Sequence, residues 1–543
     1  MNRLKLNRPL LILACIGIVL YFGINMWSGL QSDEAAPSEN PTIAKQQAAE
    51  AAAQFIQDRY GITISSTKTF VVYQSKKTRS GYLQKEHIVE AYSLKYGERF
   101  PIDYYQVTVL EPETKRQFQV EVNYTNAHIF GWKETDTKAL RSAPISRQRA
   151  DLLSRQEMTR LGFNPDDFVA VDDSSSENPT ASNANTYLYE KQSDAIGSSK
   201  LRLQLDFDDQ AIIGSTVQFS IPPEHQAWLD QQDRSASIMT WISMGFTFLM
   251  SIAAVVYAVK YRKQMEFRRG LLLTILFTTI YIANNINMYP AFKAMAGYEN
   301  GGLATLLSTL FMNVVTMLLG LSVYISLTAG SKLWEISGKT HIWSTWKDSS
   351  FGSEVSSGMG RGYLIALFIL GVQQVLFFAG EANFDVWAVN DPTDSVLNQL
   401  EPKLFPLMAW AAAISEEAAY RVLGILLFKK LLRNNFIAVL IPSIIWAASH
   451  TQYPIYPVYT RLIEVTVIGM ILGYVFLKYG FLTSLFAHAS MDSILMGLSL
   501  FSLGKPSDVL TGIFYVLLPA LAGLVIAWLH RKTCPRSPIR SLT

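Results

Sequence analysis

The sequence predicts a polytopic α-helical membrane protein with one α+β domain outside the membrane. Long apolar runs fill most of residues 237–530, whereas residues 30–235 are polar and alternate helix-like with strand-like patterns. Only 17% of the 543 residues are charged and 49% are hydrophobic. This composition is typical of a membrane protein that carries a single soluble domain, not of several soluble domains in series.

Ten apolar runs are predicted to be transmembrane helices. Because a helix rises 1.5 Å per residue, about 20 apolar residues cross a hydrocarbon core of about 30 Å. The predicted spans are residues 9–27, 237–259, 270–292, 303–329, 363–380, 403–428, 436–451, 461–478, 481–500 and 508–529. The seventh run is short for a complete span.

The distribution of lysine and arginine predicts the orientation of these spans. Loops rich in positive charge stay in the cytoplasm, and with ten spans the basic segments all fall on one side. They are residues 1–8, 260–269, 332–361, 429–435, Lys478 and 530–536. The loops on the other side are poor in lysine and arginine, and loop 381–402 is acidic. We therefore expect a multi-pass cell-membrane protein with cytoplasmic N- and C-termini and residues 30–235 extracytoplasmic.

The extracytoplasmic segment is predicted to contain a tandem repeat, about 40–140 and 141–225. In each part a helical stretch, 45–61 or 146–162, precedes strand-like segments. The last of these alternate apolar with polar residues, as a half-buried antiparallel hairpin does.

The repeat pattern resembles the PepSY or cystatin-like modules of exported bacterial proteins. Residues 172–185, rich in Ser, Asn and Asp, are predicted to be a flexible loop. The segment has no nucleophile elbow, zinc-ligand spacing or phosphate loop, so we predict a binding or regulatory role, such as recruiting or sensing a substrate.

Composition also excludes some classes of partner. The formal net charge of +3 and the lack of a basic block with interleaved aromatic residues argue against nucleic acid. Cys15 and Cys534 lie in the first apolar run and in the terminal tail, so no disulfide is predicted. The expected partners are the lipid bilayer and a peptide or membrane-protein substrate, and the sequence predicts no oligomeric state.

Ionisable residues inside the predicted spans concentrate in the last third of the chain. A charge at the centre of a bilayer costs at least about 2.5–3.5 kcal/mol on insertion scales, so such residues usually face the bundle interior and are paired or functional. The later spans hold Glu416, Glu417, Arg421, His450, Glu464, His488 and Asp492. Glu464 follows Arg461 by three residues, and a structural ion pair explains it.

Spacing and depth bring four of these residues to one place. Glu417 and Arg421 are four residues apart and so can pair on one helix face, as can His488 and Asp492. Counted from the cytoplasmic ends of their spans, Glu416, His450, His488 and Asp492 lie roughly 12–22 Å deep at 1.5 Å per residue. We therefore expect the four to share a cavity.

These residue types suit hydrolysis of an amide without a covalent intermediate. If Arg421 neutralises Glu417, then Glu416 is left as a carboxylate in low-dielectric surroundings, where it is a better base. A carboxylate with a histidine can hold and deprotonate a water, and a second histidine can donate to the oxygen that becomes negative. Base and oxyanion stabiliser are the two functions that peptide hydrolysis needs.

Three ordered motifs resemble the CPBP family, the CAAX prenyl-protease type called Abi in bacteria. They are Glu-Glu-x-x-x-Arg at 416–421, aromatic-x-x-x-His at 446–450 and His-x-x-x-Asp at 488–492. Members of that family are metal-independent, glutamate-dependent intramembrane endopeptidases, and the resemblance covers about residues 360–530. It implies no cofactor and no metal.

By this resemblance the catalytic residues are Glu416, His450, His488 and Asp492. Glu416 and His450 would activate the water, while His488 and Asp492 would form the oxyanion site. The supporting residues around them would be Glu417, Arg421 and Trp446.

Two positions depart from the family pattern. Trp446 stands where Phe is more usual, and Asp492 stands where the eukaryotic enzymes have Asn. An ionised Asp cannot donate to an oxyanion, so Asp492 must be protonated or must orient His488.

The expected domains are a transmembrane anchor, an outer domain, spans two to four with a cytoplasmic loop, a CPBP-like protease domain and a cytoplasmic tail. Their ranges are 1–29, 30–235, 236–360, 361–530 and 531–543. Two alternatives stay open. One Glu and two His could bind zinc in a three-ligand site, although no His-Glu-x-x-His is present. The polar cluster could also serve a non-catalytic transporter, bacteriocin-immunity or scaffold protein as a proton or ion relay.

Overall fold

The computed structural model describes residues 7–31, 41–62, 68–111, 116–134, 145–171, 185–208, 211–296, 301–338 and 342–534. The chain divides into two compact units. The helical unit comprises Met1–Gln31, Gln232–Val386 and Gln399–Thr543, and the sheet unit comprises Ser32–Gln231 and Trp387–Asn398. All but Asn185 of the predicted flexible loop 172–185 lies outside the described residues.

The described α-helices are α1 Arg8–Gln31, α2 Lys45–Tyr60, α3 Lys77–Lys85, α4 Val89–Tyr92, α5 Arg147–Arg160, α6 Pro223–Tyr261, α7 Leu271–Asn287, α8 Tyr289–Ala296, α9 Gly301–Ile336, α10 Phe351–Phe384, α11 Met408–Glu416, α12 Ile425–Leu432, α13 Asn435–Ala448, α14 Val458–Tyr479, α15 Phe481–Ser499 and α16 Pro506–Thr533. The strands are β1 Lys68–Ser75, β2 Asp103–Leu110, β3 Gln117–Val122, β4 Ile129–Glu134, β5 Phe168–Val171, β6 Thr186–Lys191, β7 Leu201–Phe207, β8 Ile212–Phe219, β9 Trp387–Ala388 and β10 Ile455–Tyr456.

Seven helical segments among the described residues are long and apolar enough to cross a membrane. They are Arg8–Trp27, Pro223–Gln264, Gly302–Ile336, Phe351–Phe384, Val458–Tyr479, Phe481–Leu503 and Pro506–Thr533. Two of the remaining predicted spans correspond to the shorter apolar helices α7 and α13, and the sixth corresponds to the helical run from α11 to α12. A mostly helical membrane architecture is thus confirmed, while ten complete crossings remain a prediction.

The third predicted span, 270–292, is not one continuous helix. α7 ends at Asn287 and α8 begins at Tyr289. Pro290 has no backbone N–H and its ring clashes with the preceding turn, so a helix cannot continue through this position without a break. Pro290 is tolerated as the second residue of α8, where no intrahelical donor is needed.

An eight-stranded antiparallel sheet forms the core of the sheet unit. Its strand order is β1-β2-β3-β4-β8-β7-β6-β5. In chain order, each half contains a leading helix, α2 or α5, and four strands, but the first half also has α3 and α4 between β1 and β2. The two halves join through their last strands, β4 and β8. An origin of both halves in one repeated PepSY-like unit remains a prediction.

Small residues let α2 pack closely on one face of this sheet. Ala48, Ala52 and Ile56 are fully buried there against the apolar face of β2 and β3. The helix ends at Tyr60, and the next residue, Gly61, adopts φ 68° and donates its N–H to the carbonyl oxygen of Gln57. Only a glycine takes this left-handed conformation without steric cost, so it makes an efficient helix stop.

The sheet unit also contains a segment from the acidic loop, Trp387–Asn398, which we call the insert. Asn398 is 1% exposed. Its side-chain amide accepts from the N–H of Tyr73 at 2.8 Å and donates to the carbonyl of Tyr73 at 2.9 Å. Because β1 is an edge strand, these peptide groups have no neighbouring strand, and the Asn398 amide satisfies them. The sequence prediction had placed the insert in the 361–530 domain.

Candidate active site

Glu416 lies where an α-helix changes into a π-helix. α11 ends at Glu416, and Glu417–Gly424 forms the π-helical turn before α12. π-Turns are rare and occur frequently at functional sites, because the wider turn re-aims the side chains it carries. The sequence pattern predicted an uninterrupted α-helix over 403–428 and did not reveal this local change.

Glu417 is the fully buried centre of a polar network. Arg421 Nε lies 3.4 Å from Glu417 Oε1, the predicted four-residue pairing. Ser484 donates its hydroxyl to Glu417 Oε2 at 2.5 Å, and His488 Nδ1 lies 3.0 Å from Oε1. A buried carboxylate is tolerated only when it is paired and hydrogen-bonded. Glu417 therefore stabilises Arg421 in the core and also orients the His488 ring.

Arg421 is held by an aromatic face as well as by a carboxylate. Its guanidinium carbon lies 4.2 Å from the centroid of the Trp446 ring, the geometry of a cation–π contact. Within the part of the chain that the structure describes, Nη1 and Nη2 have no hydrogen-bond partner. The indole thus compensates part of the cost of burying this charge.

Glu416 faces three side chains from two other helical segments. Trp446 donates its indole N–H to Glu416 Oε2 at 2.5 Å. His488 Nε2 lies 3.6 Å from the same oxygen, and His450 Nε2 lies 3.9 Å from Oε1. The last two distances are too long for direct hydrogen bonds. One carboxylate oxygen is therefore fixed by Trp446, and the other faces His450 across a gap.

His450 follows the end of α13, and its Nδ1 contacts two groups of the preceding helical turn. Nδ1 lies 2.9 Å from the carbonyl oxygen of Trp446 and 3.2 Å from the hydroxyl of Ser449. In a neutral imidazole, a proton on Nδ1 that bonds this carbonyl leaves Nε2 as an acceptor. The Nε2 atom that faces Glu416 is then available to accept a proton.

Asp492 completes the cluster on the side of His488. Asp492 Oδ2 lies 3.4 Å from His488 Nε2, so the predicted spacing along α15 brings the two groups together. The side chains of Glu416, His450 and Asp492 are 22%, 18% and 17% exposed, whereas those of Glu417 and His488 are at most 2% exposed. Glu416, His450 and Asp492 are therefore partly accessible, whereas Glu417 and His488 are buried.

The structure brings together all seven predicted site residues. They are the four predicted catalytic residues, Glu416, His450, His488 and Asp492, and the three predicted supporting residues, Glu417, Arg421 and Trp446. It adds two relationships that the motifs did not reveal: the donation from Trp446 to Glu416, and the contact of Ser484 with Glu417. Ser484 stands four residues before His488, so its helical spacing was a usable signal. The Arg461–Glu464 pair forms at 2.9 Å, and Gln373 also donates to Glu464 at 3.0 Å.

The site region matches a known protein family. Residues 398–494 match the family model described as type II CAAX prenyl endopeptidase Rce1-like. This range contains the whole cluster from Glu416 to Asp492. The C-terminal region of the chain therefore contains a CPBP domain of the Rce1-like type. The long apolar helices of the described residues indicate a multi-pass membrane protein.

A similar curated protein covers more of the chain than this domain. The chain is 24% identical over 493 residues to the sporulation-killing factor biosynthesis protein SkfC of Bacillus subtilis (strain 168), and the alignment covers 84% of this chain and 90% of that protein. No solved structure matches the chain.

Proposed function

We propose that this chain is an intramembrane endopeptidase that hydrolyses a peptide bond with a water activated by Glu416 and His450. The observation that carries the proposal is the meeting of Glu416, His450, His488 and Asp492, from three helical segments, in one partly open cluster. No covalent intermediate and no metal are needed in this mechanism.

The gap between Glu416 and His450 suits a single water. The two groups are 3.9 Å apart, which leaves room for a water that bonds both Oε1 and Nε2 from the open side. Glu416 takes a proton from this water as the oxygen attacks the carbonyl carbon of the substrate. Because Trp446 holds the other carboxylate oxygen, the base keeps its orientation during the transfer.

His488 is the oxyanion donor in this mechanism. As an imidazolium it donates from both ring nitrogens, with Glu417 as acceptor at Nδ1. Nε2 then points toward Glu416 and Asp492, beside the place where the substrate carbonyl oxygen becomes negative. A positioned, charge-assisted donor of this kind stabilises the tetrahedral intermediate.

The reaction ends with transfer of the same proton. When the tetrahedral intermediate collapses, the carbon–nitrogen bond breaks and Glu416 passes its proton to the leaving amine. One new carboxyl group and one new amine result, and Glu416 returns to its starting state. Asp492, 3.4 Å from His488 Nε2, keeps the imidazole aligned through this sequence.

The wider proposal follows the sequence predictions. It comprises ten spans, both termini in the cytoplasm, an outer domain at 30–235 with two repeated halves, and a protease domain at 361–530. The substrate is a peptide or a membrane protein. The similar protein of Bacillus subtilis is named for the biosynthesis of a sporulation-killing factor, so a biosynthetic precursor is a candidate substrate class here.

The zinc alternative has weaker geometric support. Among the described residues, no group of three His, Cys, Asp or Glu side chains is arranged to hold a metal ion. A non-catalytic transporter, immunity or scaffold role does not require the gap between Glu416 and His450 or the buried support behind His488. The hydrolytic function accounts for both features.

The test compares membrane peptides released by the wild type with those released by Glu416→Gln, His450→Ala and His488→Ala variants. Glu335→Gln, an ordinary carboxylate on α9 outside the cluster, is the matched control. We expect products that depend on all three site residues, that persist in Glu335→Gln and that are unchanged by a chelator.

Continued release of the same products by three folded site variants would refute the proposal. Loss of release from the wild type on adding chelator, with recovery on adding zinc, would favour the metal alternative.

A further inference from the structure

One side of α6 carries a line of polar side chains, which we call the polar stripe. It consists of five residues spaced three or four apart, Asp233, Ser237, Thr240, Ser243 and Thr247. Residues at this spacing lie on the same side of a helix. Neighbouring positions such as Trp241 and Phe248 are apolar and exposed. Because hydroxyl side chains in membrane helices commonly hydrogen-bond to other helices, the polar stripe indicates the side of α6 that contacts polar groups.

The polar stripe caps the C-terminal end of α13. The last four carbonyl oxygens of an α-helix have no partner within the helix. Ser243, which is 1% exposed, donates its hydroxyl to the carbonyl oxygen of Ile445 at 2.5 Å. Thr240 donates to the carbonyl oxygen of Ala448, the last residue of α13, at 3.3 Å. Because Ile445 directly precedes Trp446, the buried contact with Ser243 fixes the helical turn that carries this indole.

The same side of α6 holds the segment 449–457, which carries His450. The hydroxyl of Thr451, the residue after His450, donates to the carbonyl oxygen of Ala236 at 3.1 Å. Farther along the segment, the hydroxyl of Tyr456 donates to Asp233 at 2.6 Å. Both Thr451 and Tyr456 are buried. The segment is therefore hydrogen-bonded to α6 on both sides of its middle.

At its other end the polar stripe contacts the π-helical turn that follows Glu416. The hydroxyls of Thr247 and Tyr420 lie 3.1 Å apart. Tyr420 is a buried residue of this turn, four residues after Glu416. Glu416 and His450 face each other across the 3.9 Å gap in which the proposed mechanism holds a water. Since α6 contacts the chain segments on both sides of this gap, it fixes the distance between them.

We propose that α6 is part of the catalytic apparatus, although it lies outside the range 398–494 that matches the family model. In this inference, which rests on the proposed function, Ser243 and Thr247 are positioning residues. Ser243 fixes the segment of His450, and Thr247 fixes the turn that follows Glu416. Such contacts matter for the rate, because displacing a reacting group by about 1 Å can slow a reaction about a hundredfold.

The first test measures peptide release by the full chain in nanodiscs. Ser243→Ala and Thr247→Val each remove one hydroxyl, and Val keeps the shape of Thr. We expect the release of peptides that depend on Glu416 to fall by about tenfold or more in each variant. Thr247→Ser keeps the hydroxyl, so it should release peptides at nearly the wild-type rate.

Ser251→Ala is the matched control on the same helix. Ser251 donates to the carbonyl oxygen of Thr247 at 2.9 Å, and its hydroxyl lies 2.7 Å from that of Ser322 on α9. The control therefore also loses a hydroxyl contact between helices, but not one with residues 445–458. Its release rate and that of the wild type should be equal.

Kinetic constants distinguish a positioning role from substrate binding. They are measured for each folded variant with a quenched peptide that spans the bond cleaved in one of the released products. The polar stripe orients reacting groups and does not contact the substrate, so kcat should fall in Ser243→Ala and Thr247→Val while KM stays nearly constant.

Amide hydrogen exchange at residues 445–458 tests the structural part of the inference without catalysis. Loss of the Ser243 hydroxyl removes a buried partner of the Ile445 carbonyl, so this region should open more often. We expect faster exchange across 445–458 in Ser243→Ala than in Ser251→Ala or the wild type.

Two outcomes would overturn this inference alone. They are unchanged exchange across 445–458 in Ser243→Ala, and wild-type kcat in both Ser243→Ala and Thr247→Val while Glu416→Gln is inactive. If the wild type releases no product that depends on Glu416, the proposed function is refuted and this inference with it. The activity of Glu416→Gln relative to the wild type therefore distinguishes the two failures.

Discussion

The two units of this protein contain polar clusters of different kinds. In the helical unit the ionisable side chains of the candidate site support one another in sequence, from Arg421 through Glu417 to His488. In the sheet unit a row of mainly uncharged residues runs across five strands from Gln106 on β2 to Gln204 on β7, and Glu121 within it pairs with Lys76. Concentrated charge suits proton transfer, whereas a row of donors and acceptors suits recognition. The difference teaches that burial alone does not indicate which task a polar cluster performs.

The largest expected effect comes from removing the charge behind the proposed catalytic histidine. Glu417→Gln leaves Arg421 buried without a carboxylate, and breaking a buried pair costs about 3–5 kcal/mol. We expect a fall in the unfolding temperature and loss of processing, measured by thermal unfolding and product release.

A double variant separates the two contributions of Glu417. Glu417→Gln with Arg421→Met removes both charges, so it should recover much of the stability but not the activity. Equal recovery of both properties would contradict a positioning role of Glu417 toward His488.

The insert provides the next test, on the side of the sheet unit. Asn398→Ala deletes both hydrogen bonds to the edge strand at Tyr73 and leaves buried peptide groups unpaired, at about 1–3 kcal/mol. Amide hydrogen exchange at β1 should accelerate, with a lower unfolding temperature of the sheet unit. Asn383→Ala, an exposed asparagine on α10 that bonds only within its own helix, is the control. Equal protection of β1 in both variants would disprove this role of Asn398.

A smaller effect is expected from Trp446→Phe, which separates the two roles of this residue. The phenyl ring keeps an aromatic face for Arg421 but removes the donor to Glu416. A hydrogen bond to a charged group contributes about 1.5–3 kcal/mol, so the processing rate should fall by about tenfold or more. The same lost hydrogen bond should lower the unfolding temperature by only a few degrees. A large drop in the unfolding temperature with normal processing would assign Trp446 to packing alone.

The smallest expected effect is a pH dependence in the sheet unit. Burial raises the pKa of Asp103 above its ordinary value of 3.8, while Asn390 donates to its Oδ2 at 2.8 Å. At pH values between the pKa of Asp103 in the unfolded chain and its higher pKa in the native state, the native state binds more protons than the unfolded chain. The free energy of unfolding therefore falls as pH rises through that window. Asp103→Asn removes this slope. Measured from pH 4 to pH 7, the unfolding temperature of the variant should depend less on pH than that of the wild type, and at pH 7 it should be higher. An unchanged slope would show that Asp103 does not cause it.

Much of the helical architecture could be predicted because a bilayer imposes a length on apolar helices. The same rule fails where local backbone chemistry intervenes. Pro290 divides the third predicted span, and the π-turn at Glu417–Gly424 interrupts the sixth. Neither feature changes the average hydropathy of its run, so a pattern based on hydropathy cannot detect it.

The candidate site could be located for a similar reason. Ionisable side chains are expensive inside a membrane, so Glu416, His450 and His488 stand out from their apolar surroundings by residue type alone. Spacing along one helix also predicted the approach of Arg421 to Glu417 and of Asp492 to His488. Contacts between different helices, such as those of Trp446 with Glu416 and Ser484 with Glu417, depend on helix packing and have no local signature.

The sequence by itself determined the class of protein, the approximate helices and the residues of the candidate site, because hydrophobic length and the cost of buried charge act locally along the chain. Only the tertiary structure decided which oxygen of Glu416 is held by Trp446, which nitrogen of His488 faces Glu417, and that Trp387–Asn398 joins the sheet unit. It also decided that Gln106, Glu121, Thr216 and Gln204, from four different strands, line one cavity. Strand order and helix packing bring distant residues together, and no spacing within one segment specifies either.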